Sequence, residues 1–110
     1  MVFIESRSFT RRLAELAGGS ADEVLRAIQD DLLRNPERGQ IVRGVGGLRK
    51  ARAGNPTREK GARGGYRYMH LYVEHRNHIH LLFLLDKDEQ DDLDTEQRKF
   101  LRRMVAELKA

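Results

Sequence analysis

The chain has 110 residues, 39% of them hydrophobic and 35% charged, with no cysteine and a formal net charge of +4. That length holds one modest core, so a single domain over residues 1–110 is expected, and the lack of cysteine excludes disulfides, thiol nucleophiles and thiolate metal sites. No apolar run approaches the roughly 20 residues of a membrane span, and Met1-Val2-Phe3-Ile4-Glu5 lacks the apolar stretch of a signal peptide, so a cytoplasmic address is the expectation.

Residues 2–5 read as a short first strand. Phe9, Leu13 and Leu16 recur at helical spacing until Gly18-Gly19 stops the helix. Ser20 with Glu23 three residues on predicts a capping box, followed by the stripe Val24, Leu25, Ile28 and Leu32. Asn35-Pro36 ends that helix, because the residue before proline avoids the helical region. The short connection predicts a helical hairpin. After glycine-punctuated residues 39–47, Leu48 to Ala53 alternates weakly, as a short strand would. Gly54-Asn55-Pro56 reads as a turn. Residues 54–65, rich in glycine and cations, read as mobile. Tyr66 to Val73 reads as a strand with Arg67, Met69, Leu71 and Val73 on one face and Tyr66, Tyr68, His70 and Tyr72 on the other. Asn77 marks a hairpin turn, and Ile79 to Leu85 is apolar on both faces, like a central strand. An acidic connection, 86–92, leads to Asp94, with Gln97 as its capping-box partner. The last stripe is Phe100, Leu101, Met104, Val105 and Leu108. The fold class that follows is α+β: a small, mostly antiparallel sheet, an N-terminal helical hairpin and a C-terminal helix.

The charge is uneven. Residues 41–80 hold nine Lys/Arg against two Asp/Glu, whereas the segments on either side are slightly acidic. Arg43, Arg49, Lys50, Arg52, Arg58, Lys60, Arg63 and Arg67 fall within 25 residues. Such a block attracts polyanions, of which nucleic acid is the usual one; its bland alternative is a solvated surface.

Three segments carry a resemblance. Gly46-Gly47-Leu48-Arg49-Lys50-Ala51-Arg52 resembles a "GGLRKxR" segment of the HigB-like toxins of the RelE/ParE superfamily, which belong to type II toxin–antitoxin modules. Lys60 to Arg67 is similar to their "GKRGGxR" segment, and Asp86-Lys87, Asp92-Leu93 and Gln97-Arg98-Lys99 to their "GK…DL…QRK" tail. The resemblance implies a RelE-like fold and a ribosome-dependent mRNA endonuclease without cofactor. It also implies a cognate antitoxin of helix-turn-helix type, and operator DNA bound only through that antitoxin. Other members of the superfamily act on DNA gyrase, and a non-catalytic RNA-binding module is a further alternative. This chain departs from its relatives in having His70 or Leu71 where they often carry tyrosine, and Leu85-Asp86-Lys87 where they carry Tyr-Gly-Lys.

Metal-free RNA cleavage needs a 2′-OH aligned with phosphorus, stabilisation of charge on the transition state and a proton for the leaving 5′-oxygen. Arg67 and Arg63 are candidates for the charge, since a guanidinium grips phosphate bidentately. Lys50, Lys87 and His70 are candidates for proton transfer, with Lys60 behind them. Arg49, Arg52 and Lys60 are candidate RNA contacts, and Tyr66 and Tyr68 candidate stacking platforms; the other role open to the tyrosines is packing under the last helix. His78 and His80 share a strand face, but no carboxylate in ligand spacing stands beside them, so no metal site is expected. The cations of the middle third are expected to converge on one electropositive pocket.

Overall fold

A computed structural model describes residues 1–54, 65–89 and 93–110. Strand β1 (Val2–Glu5) leads into helices α1 (Arg7–Ala17) and α2 (Ala21–Arg34), then come strands β2 (Gln40–Ile41), β3 (Arg49–Ala53), β4 (Tyr66–Val73) and β5 (His78–Asp86), and helix α3 (Thr95–Lys109) closes the chain. The sheet order is β1-β5-β4-β3-β2. β1 pairs with β5 in parallel and every other pairing is antiparallel. The expected α+β class is the one observed. No described helix is long and apolar enough to cross a membrane.

The sheet is sandwiched. On one face Phe9 and Leu13 of α1 and Val24, Ile28 and Leu32 of α2 close over Ala51, Ala53, Tyr66, Tyr68, Ile79, Leu81 and Leu84. On the other, Leu101 and Val105 of α3 close over Leu48, Met69, Leu71, Val73 and Leu82, with Val45. Each fully buried large apolar side chain contributes roughly 1.5–3 kcal/mol. The parity read from β4 therefore holds, but its tyrosines pack under the first two helices rather than under the last. β5 contains a feature that periodicity does not reveal. Met69 pairs with Phe83 and His70 with Leu81, so Leu82 is an unopposed bulge residue. The extra residue flips the alternation, which is why Leu81 and Leu84 face α1 and α2 while Leu82 and Phe83 face α3.

Ser6 ties α1 to that bulge. Its Oγ accepts from the Phe9 N–H at 2.9 Å as the helix cap and donates to the Leu82 carbonyl at 2.6 Å. Ser6→Ala should therefore cost about 1–2 kcal/mol and lower Tm by about 5 °C in a thermal melt, with Ser6→Thr recovering most of the loss. The Asp94–Gln97 capping box of α3 forms in both directions.

Other expectations are corrected. Ser20 makes no side-chain cap bond, because it ends a 3₁₀ turn (Gly18–Ser20) and its backbone is not extended as a cap requires. Phe100 is 63% exposed and stands outside the α3 stripe. Strand β2 was not foreseen: two residues are too few for alternation to register. The turn at Asn55-Pro56 and the reading of 55–64 as mobile lie outside the described residues.

Candidate nucleic-acid interface

The loop after α2 sets the site's edge. Asn35 leaves the helix extended, the Asn35 side chain accepts from the Glu37 N–H at 3.1 Å, and the Arg38 N–H donates to the Asn35 carbonyl at 3.1 Å. Gly39 then passes flush against β3 with φ +94°, and a Cβ there would lie 2.3 Å from the Lys50 carbonyl oxygen. Only glycine fits that approach. The consequence is that the Arg38 guanidinium reaches the open edge of β3, where Nη2 donates to the Arg52 carbonyl at 3.3 Å.

Beside that edge lies a concavity of about 500 Å³ lined by Arg38, Gly39, Gln40, Lys50, Ala51, Arg52 and Arg67. Lys50 and Arg52 are two residues apart on β3 and share one face. Arg67 stands directly across the ladder from Arg52. Like charges directly opposed in a sheet are destabilising, and the described residues of the lining include no carboxylate. The arrangement fits an anion bound between the two guanidinium groups. Arg67 is braced from behind by the 86–89 turn. Its Nη2 donates to the Glu89 carbonyl, while the Glu89 carboxylate takes Arg12 and the Asp86 N–H.

Pairing elsewhere sharpens the contrast. Arg49, expected as an RNA contact, lies on the opposite face. There it donates to the Gly39 carbonyl at 3.1 Å and pairs with Glu37 at 3.5 Å. Its charge is spent on holding the loop rather than on a ligand. Arg12, Arg34 and Lys99 each have a carboxylate partner, while Arg52 has none among the described residues.

Three further expectations fail on burial. Tyr66 and Tyr68 are 2% and 0% exposed, so neither offers a ring to a base. Burial also pushes the Tyr68 phenol up to about 12, only partly opposed by Arg38, which keeps it protonated. His70 is 0% exposed, and its Nε2 lies 2.8 Å from the Arg38 carbonyl. Burial lowers its pKa, the carbonyl opposes that fall, and the charges of Arg49 and Arg38 add to it. A neutral, enclosed imidazole bonded to a backbone carbonyl does not exchange protons with a substrate. His70 is bonded to the backbone of the Arg38 loop and does not reach the solvent. Lys87 is exposed at the end of β5 and does not line the concavity. Arg63 and Lys60 lie outside the described residues. Among the described residues no three metal-ligating side chains are grouped.

Of the expected cations, the fold thus brings Lys50, Arg52 and Arg67 together. Arg38 was missed because it sits in the slightly acidic first segment, and its role depends on a loop whose only mark in the sequence is Gly39.

No family model matches the chain. A search of solved structures finds a chain of the intact E. coli RelBE toxin–antitoxin complex, with a TM-score of 0.55 at 13% identity, covering 80% of this chain and 98% of that one. The fold is RelE-like.

Proposed function

We propose that the protein is the toxin of a type II toxin–antitoxin module, a cytoplasmic, metal-independent endoribonuclease that cleaves mRNA on the translating ribosome. The observation that carries this reading is the facing pair Arg52 and Arg67 beside Lys50 in one concavity, on a RelE-like fold.

The chemistry is assigned by elimination within that lining. Arginines stay protonated at every physiological pH, so Arg38, Arg52 and Arg67 bind and stabilise phosphate oxygens but move no proton. Among the described residues of the lining, Lys50 is the side chain able to exchange a proton. The ribose 2′-OH attacks phosphorus as its proton passes to water, from which Lys50 is reprotonated after each turnover. The P–O5′ bond breaks, and Lys50 delivers a proton to the departing 5′-oxygen. The products are a 2′,3′-cyclic phosphate and a 5′-hydroxyl. Arg52 and Arg67 hold the two non-bridging oxygens, whose charge grows in the transition state. The ribosome presents the message, so the toxin itself needs little sequence recognition. A cognate antitoxin of helix-turn-helix type silences it and carries any operator binding.

Induced expression in a host without the antitoxin should arrest growth, with mRNAs cut inside coding regions and 5′-hydroxyl ends. Arrest with intact mRNA and damaged DNA would move the target to gyrase. Unimpaired growth would reduce the protein to a binding module.

A further inference from the structure

Next to the first concavity lies a second of about 160 Å³, lined in part by Arg43, Lys50 and Arg98 on a wall of Val42, Met69 and Leu93. Lys50 and Gln40 line both. Arg98 comes from the first turns of α3, and its Nη1 donates to the Arg43 carbonyl at 2.7 Å. That bond fixes the guanidinium and leaves its remaining donors for something else. Among the described residues neither Arg43 nor Arg98 forms an ion pair, and no carboxylate belongs to the lining. Two uncompensated arginines have thus been added to the same trough from a distant helix and loop, 55 positions apart in sequence.

From this we infer that the smaller concavity is a second phosphate subsite, which takes the phosphate next to the one held by Arg52 and Arg67. The inference rests on the reading of the larger concavity as an RNA site and deepens it. The substrate backbone runs from Arg52 over Lys50 to Arg43 and Arg98. The strand itself sets the pitch: Arg52 and Lys50 on one face are about 6.7 Å apart, the order of the spacing between successive phosphates on an extended single strand. An acidic peptide is the rival occupant. An extended one can match that pitch, but it has no ribose to lay against Val42, Met69 and Leu93. The ligand is therefore a single-stranded stretch with at least two consecutive phosphates, and α3 is part of the substrate track.

The test uses 2′-O-methyl oligouridines, in which the attacking oxygen is blocked, a dimer with a single internal phosphate and a hexamer, read by fluorescence anisotropy across a salt series. The hexamer should bind the wild-type chain with a steeper log–log salt slope than the dimer. Arg43→Gln and Arg98→Gln should each flatten the hexamer slope by up to about 0.7, the value of one phosphate contact on a single strand, while leaving the dimer unchanged. Arg98→Lys should restore part of the loss, and Arg43→Gln, whose side chain makes no described bond, controls for folding. Hexamer binding that depends on Arg52 but ignores Arg43 and Arg98 overturns the subsite and leaves the nuclease reading intact. No binding of either oligomer overturns both. Binding of a poly-glutamate peptide that alone responds to Arg43→Gln transfers the subsite to a protein partner.

Discussion

Arg67→Gln should lose about 10²–10³-fold in the rate of mRNA cleavage on programmed ribosomes, the usual cost of removing one donor aimed at transition-state charge. The expectation comes from where Arg67 stands. It is the second residue of β4, paired with Arg52 of β3 and Leu85 of β5 on either side, so its backbone is placed by the sheet rather than by a loop. The Glu89 carbonyl takes one guanidinium nitrogen, and Glu89 is itself held by Arg12 and the Asp86 N–H. The fork is therefore aimed before any ligand arrives. Glutamine keeps a donor but neither the charge nor the bidentate grip. Arg67→Lys should be nearly as damaged, because a point charge does not reproduce two parallel bonds. A thermal melt separates this from unfolding: relief of the Arg52–Arg67 repulsion offsets loss of the bond to the Glu89 carbonyl, so Tm should change little. Full toxicity in an Arg67→Gln chain would remove this residue from the mechanism.

Stability should fall as pH drops below 6.5, and His70 should be the main reason. Its folded pKa is lowered, chiefly by burial, from an unfolded value near 6.5. Above 6.5 both states carry neutral imidazole and the full stability is present. Below 6.5 the unfolded chain takes up a proton that the folded chain excludes, so stability is lost toward the folded pKa at no more than about 1.4 kcal/mol per pH unit. His80, lowered first by burial and then by His78 and Arg76, adds a smaller loss of the same sign. Urea melts at pH 7.5, 6.5 and 5.5 are the measurement, above the range in which carboxylates titrate. His70→Gln keeps an amide donor for the Arg38 carbonyl and should flatten the acid limb. His70→Leu should flatten it too, but it leaves that carbonyl without its partner and loosens the loop. Toxicity should then fall in the leucine variant and survive in the glutamine one. A wild-type stability unchanged between pH 7.5 and 5.5 would contradict a neutral buried His70.

What is legible in the sequence, and what is not, divides along local and non-local causes. Asp94 with Gln97 caps α3 because both partners lie within one turn. Asn35-Pro36 ends α2 because proline acts on its immediate neighbour. The two faces of β4 follow from strand pleat alone. Which helix covers which face is different. It depends on the crossover from β1 to β5, which puts Tyr66 and Tyr68, expected as stacking platforms or as packing under the last helix, beneath α1 and α2. Aromatic residues alternating with cations look alike whether the rings meet a base or a core; only the apolar faces of α1 and α2 decide for the core. Arg49 and Arg52 illustrate the same limit in charge. They are neighbours in one motif, yet the pleat sends one to Glu37 and the other to the concavity. Arg43 and Arg98 meet only because α3 folds back across the sheet.

The parallel pairing of β1 with β5 has a consequence in time. Val2 lies against His78, and Ser6 reaches the Leu82 carbonyl 76 positions later. During synthesis the first strand waits for its partner, and the helices that follow it wait for Ile79, Leu81 and Leu84. Closing so long a loop precedes any reward from the contact it makes. The polypeptide emerging from a ribosome therefore has no assembled sheet until most of its length has been translated.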